Sequence, residues 1–147
     1  MKTMHALWRR VNEPKFVSAL HATVYAILAV VGLYALINRP GTVDYAIGQP
    51  AMYLLAGTLA VGGAIGAPTA LYGTWWLERT AVSLVILASG VYLMIVVAIQ
   101  ITGDGSGNRW LQAGYIFSVL ALHLVRWHRV RQRPYDPTRP PADNPVP

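Results

Sequence analysis

The chain has no cysteine in its 147 residues. That excludes a disulfide framework, a thiolate nucleophile and Cys-ligated zinc or iron–sulfur centres, and it leaves the redox compartment unreadable. Charge is also scarce: 12% of residues are charged, against about 25% in an ordinary soluble domain. The motifs of soluble enzymes are missing as well, including GxGxxG, a Walker A loop, HExxH and a serine elbow. With no catalytic constellation, the chain reads as a non-enzyme for which no cofactor or metal is expected.

What is abundant is apolar sequence. Hydrophobic residues make up 54% of the chain, and the mean hydropathy is +0.40. Four apolar stretches run over about 16–37, 51–67, 81–101 and 110–125, close to the length a helix needs to cross a bilayer, although the last is slightly short. The first exceeds the usual apolar core of a signal peptide and is followed by three more, so it is expected to be retained as a helix. The expected fold is an all-α membrane protein: a bundle of four transmembrane helices over 14–127, preceded by a short amphipathic interfacial helix.

Basic residues orient this arrangement. Lys2, Arg9, Arg10 and Lys15 precede the first span, Arg79 lies between the second and third, and five arginines follow from Arg126 onward. Only Arg39 and Arg109 fall in the other two loops. The positive-inside rule then puts both termini in the cytoplasm, in a multi-pass protein of the cytoplasmic (inner) membrane. The net charge of +6 flanks the spans instead of forming one basic face, so anionic lipid headgroups, not nucleic acid, are the expected partner. Trp8, Trp75, Trp76, Trp110 and Trp127 sit at the edges of the apolar stretches, where tryptophan anchors helices at headgroup level.

At the N-terminus, Met4, Leu7, Trp8 and Val11 recur at helical spacing, giving an amphipathic leader over 1–13 that Glu13-Pro14 interrupts. At the C-terminus, residues 128–147 form a basic, Pro-rich tail; six prolines between Pro134 and Pro147 predict a disordered cytoplasmic segment.

Within the spans, the second is rich in small residues. Gly62 and Gly66 form a GxxxG pair and Ala56 and Ala60 repeat the spacing, which predicts a close helix contact, either within one chain or between copies. Pro68 is expected to end this span. Ionisable groups at membrane depth are few: His21, Glu78, Arg79 and His123 all fall near the cytoplasmic interface and are candidates for one polar cluster. Gln100 has no evident partner and is assigned to the opposite interface. Two histidines on separate helices raise bis-histidine haem ligation, but no second shell or propionate partner is identifiable. A transporter is disfavoured, because no internal repeat or midplane acid is present.

The segments Trp8-Arg9-Arg10-Val11-Asn12-Glu13-Pro14-Lys15-Phe16-Val17 and Trp75-Trp76-Leu77-Glu78-Arg79, with four short spans and a basic Pro-rich tail, resemble small four-helix membrane proteins of actinobacterial phages. That resemblance implies a holin-like protein that assembles in the host cytoplasmic membrane and permeabilises it or assists endolysin release during lysis. It transfers no active-site residue. The alternative expectation is a non-permeabilising phage membrane protein, for superinfection exclusion, immunity or binding a second phage or host membrane protein. A homo-oligomer fits the first expectation, and a specific partner fits the second.

Overall fold

The computed structural model describes residues 15–38, 40–103 and 107–131. Among these, every regular element is a helix: α1 (Lys15–Ile37), α2 (Gly41–Ile47), α3 (Gln49–Tyr72), α4 (Trp75–Thr102) and α5 (Trp110–Arg131). The amphipathic leader with Trp8, and the tail beyond Arg131, lie outside the described residues.

Neighbouring long helices pack in sequence order, α1 on α3, α3 on α4 and α4 on α5. Each pair is antiparallel. Tyr25 and Ala29 of α1 meet Gly66 and Gly63 of α3, while Gly32, further along α1, meets Ala60 and Ala56. Across the α4–α5 contact, Glu78 pairs with Arg126, Tyr92 with Gln112, and Gln100 with Arg109. The start of α1, the end of α3, the start of α4 and the end of α5 therefore share one end of the bundle, here the N-terminal end.

Three of these helices, not four, are long and apolar enough to cross a membrane: Phe16–Ile37, Gln49–Tyr72 and Trp76–Thr102. Of the expected four transmembrane helices, three therefore have the length and hydropathy of a span. α5 has the length, 22 residues, but Gln112, His123, Arg126, His128, Arg129 and Arg131 lower its apolar character. The surface is otherwise that of a protein in lipid. Leu54, Met94 and Ile101 are 74%, 73% and 70% exposed, and bulky apolar side chains face outward on all four long helices, far beyond the single patches a soluble monomer carries.

The second helix departs from its expected end. α3 continues through Pro68 to Tyr72 and stops at Gly73, whose φ of 70° is the left-handed cap that glycine adopts without a steric penalty. Proline here removes one bond to the carbonyl four residues back, yet the Thr69 hydroxyl donates to the carbonyls of Ile65 (2.8 Å) and Gly66 (3.1 Å), reinforcing that turn. The connection between α1 and α3 is also more ordered than a plain loop. α2 follows Pro40 and ends at Gly48 (φ 79°), and it buries Val43 against Met52, Leu55 and Ala56 at the far end of the bundle.

Candidate functional site

The polar interior of the N-terminal end begins with a charge pair. Glu78 lies in the first turn of α4, where the helix dipole favours its charge, and Arg126 lies five residues before the end of α5. Arg126 Nε donates to Glu78 Oε1 at 2.7 Å, with 4% of each side chain exposed. A charge at this depth is tolerable only when paired, because leaving either partner alone in an apolar interior costs several kcal/mol.

One turn before Arg126, His123 is fully buried. Its Nδ1 donates to the Val119 carbonyl at 2.8 Å, which leaves Nε2 as the acceptor of the neutral ring. The Tyr25 ring of α1 meets it edge to face, with centroids 5.3 Å apart and planes at 70°. Tyr25 is itself fully buried, and it fits because Gly66 has no side chain: a Cβ on Gly66 would collide with the tyrosine ring. One contiguous series of contacts thus joins Gly66 of α3, Tyr25 of α1, His123 and Arg126 of α5, and Glu78 of α4. Both Tyr25 Oη and His123 Nε2 are buried without a hydrogen-bond partner among the described residues.

The sequence-predicted cluster is therefore rearranged. Glu78 and His123 are in it. His21 lies on the same side of the bundle, half-buried, with its Nδ1 held by the Val17 carbonyl at 2.9 Å, as expected of a helix histidine back-bonding to its own turn. Arg79 is exposed, next in sequence to a buried glutamate and so turned away from it. Arg126, assigned by sequence to the basic run leaving the membrane, is the real partner of Glu78. Tyr25 carried no sequence signal beyond its position: Ser18, Ala22, Tyr25, Ala29 and Gly32 alternate by four and three residues, a small-residue face around one large ring.

The small residues of α3 divide between two neighbours. A Cβ on Gly63 would lie 2.5 Å from Ala29 N and 2.6 Å from Tyr25 O, and one on Gly32 would lie 2.5 Å from Ala60 N and 2.9 Å from Ala56 O. These are backbone contacts of α1 with α3. Gly62 instead faces α4, where a Cβ would sit 3.1 Å from Leu84 and Val85. Gly62 and Gly66 thus serve different helices, and Ala56 and Ala60 serve the same contact as Gly63. Neither Gly32 nor Gly63 belongs to a GxxxG pair, so that motif gives no signal for them.

Among the anchors, Trp76 and Trp110 are exposed. Trp127 is half-buried against the Tyr25 cluster, with the Arg131 guanidinium 5.1 Å from its ring centroid. The Trp75 backbone opens α4. At the far end, Gln100 has a partner after all: its Oε1 accepts from the Arg109 amide at 2.6 Å, while Gln112 Nε2 donates to Tyr92 Oη at 2.8 Å.

Because α1 and α5 are bridged by Tyr25 and His123 but not packed along their length, an apolar groove of about 270 Å³ opens between them toward the far end. Leu28, Val31, Leu55, Leu59, Tyr92 and Ile116 are among its lining. No group of three or more metal-ligating side chains occurs among the described residues. No family model, curated protein or solved structure matches the chain.

Proposed function

We propose that the chain is a four-span protein of the bacterial cytoplasmic membrane, with both ends in the cytoplasm, and that it acts as a non-permeabilising subunit binding a second membrane protein. Support for α5 as the fourth span comes from its outward face, where Leu111, Phe117, Leu122, Leu124 and Val125 are exposed while its ionised Arg126 is paired inside. The observation that carries the functional reading is the use of the close-approach residues. Gly32, Gly62, Gly63 and Gly66 are all occupied within one chain, so the GxxxG pair of α3 is already covered, and the open glycines of the long helices, Gly57, Gly90 and Gly114, lie on three different helices and form no such pair. The polar groups that could wet a pore give no continuous stripe either: Thr23, Thr58, Ser83 and Ser118 lie on four different helices and each bonds a carbonyl of its own helix.

The holin-like reading stands second, favoured by the wide apolar surface on every long helix, which suits accumulation at high density in lipid. Inducible expression in bacteria, with membrane potential and potassium efflux followed over time, separates the two. Polarised, intact cells at high expression, together with a specific partner recovered by in-cell cross-linking, are the expected result. Abrupt depolarisation at a set time would overturn the proposal in favour of lysis.

A further inference from the structure

Of the four long helices, only α5 lacks the apolar character to cross a membrane by itself, and it is the one held by an interhelical ion pair. The contact between α4 and α5 is polar at three levels: Glu78 with Arg126 at the N-terminal end, Tyr92 with Gln112 further along, and Gln100 with the Arg109 amide at the far end. Arg126, Gln112 and the Arg109 amide that leads into α5 thereby each meet a group supplied by α4, whereas the buried His123 faces Tyr25 of α1. By contrast, the α1–α3 contact is close backbone packing around glycine and alanine.

We propose that α5 is a conditional span, one that enters the bilayer only as the partner of α4, with Glu78 as the residue that licenses its entry by neutralising Arg126. This rests on the four-span reading above. The physical reason is additive: an arginine within a helix carrying glutamine and histidine as well opposes insertion, and a carboxylate at 2.7 Å on a helix already in the membrane removes most of that opposition. Without Glu78, α5 remains on the side of the membrane where α4 ends, and the C-terminal tail stays there with it. Glu78 is a positioning residue in this scheme, acting on topology and not on chemistry.

The absence of native cysteine makes the test direct. Single-cysteine variants T3C and N144C of the full chain, labelled in intact cells and in inverted vesicles with a membrane-impermeant maleimide, report the side of each terminus. With the native pair, both positions label from the same side. Adding Glu78→Ala, which makes α4 more apolar and so does not impair its own insertion, is expected to raise the fraction of N144C on the opposite side roughly tenfold or more. Adding Arg126→Leu to Glu78→Ala is expected to return it. If Glu78→Ala leaves N144C on the T3C side, or if the double variant stays displaced, the licensing role is overturned. If the two termini of the otherwise native chain label from opposite sides, the four-span reading itself fails, a result distinguishable from both.

Discussion

Substituting alanine for Gly63 tests the α1–α3 contact most sharply, because Gly57 on the same helix provides an internal control. In a helix interior, glycine to alanine gains about 1 kcal/mol from backbone entropy and solvation. At Gly57 nothing lies within 4 Å of the new methyl, so that gain should be realised, giving a change between about 0 and 1 kcal/mol in favour of the folded state. At Gly63 the methyl would meet Ala29 N at 2.5 Å, Tyr25 O at 2.6 Å and Ala29 Cα at 2.9 Å. All three are backbone atoms of another helix, which cannot rotate aside, so α1 and α3 must separate by close to 1 Å to restore ordinary contact. Overpacking of this kind costs about 1 to 3 kcal/mol, and the separation also loosens the neighbouring contacts of Gly32 and Gly66. Set against the propensity gain, Gly63→Ala should be net destabilising by up to about 2 kcal/mol, and should lie about 1 to 3 kcal/mol below Gly57→Ala. Equilibrium unfolding in mixed micelles with rising dodecyl sulfate, followed by tryptophan fluorescence, measures both. Equal stabilities within about 0.5 kcal/mol would refute the close backbone packing of α1 on α3.

Four further substitutions probe the polar interior and α3 by the same unfolding measurement. Tyr25→Phe removes a buried hydroxyl without a hydrogen-bond partner among the described residues and keeps the ring against Gly66 and His123, so stability should hold or rise by about 1 kcal/mol; a loss of that size would mean the hydroxyl is satisfied in the membrane. In a double-mutant cycle, Glu78→Ala or Arg126→Leu alone should each cost about 3 to 5 kcal/mol, and the double variant much less than their sum; additive losses would argue against a direct pair. Pro68→Ala restores a donor at an exposed interior position of α3 and should stabilise the protein by about 1 to 3 kcal/mol, whereas destabilisation would mean that the proline geometry is required there.

Much of the candidate site was only half legible in the residues. Glu78 and His123 stood out because ionisable groups are rare in apolar sequence. Arg79, adjacent to Glu78, has the same ionisable character, but consecutive helix residues point about 100° apart, and here Glu78 is buried while Arg79 is exposed. Arg126 looked like the first of a basic run, since Arg129 and Arg131 follow at nearly the same spacing; only the pairing of α5 with α4 separates it from them. Gly62 and Gly66 were seen as one motif, and four residues of helix carry them round by more than a full turn, enough in a crowded bundle for two different neighbours to claim them. Tyr25 gives no contrast in an apolar span until the notch at Gly66 is set opposite it.

What the sequence determined by itself was the helical class, the presence of α1, α3 and α4 as apolar helices of spanning length, though not where α3 ends, and the solvent they suit, because hydropathy and length act locally and need no partner. Tertiary structure alone decided which charge is neutralised, which glycines touch backbone, and how α5 is held. Those outcomes depend on which faces of separate helices meet, and the spacing within one helix does not encode the position of another.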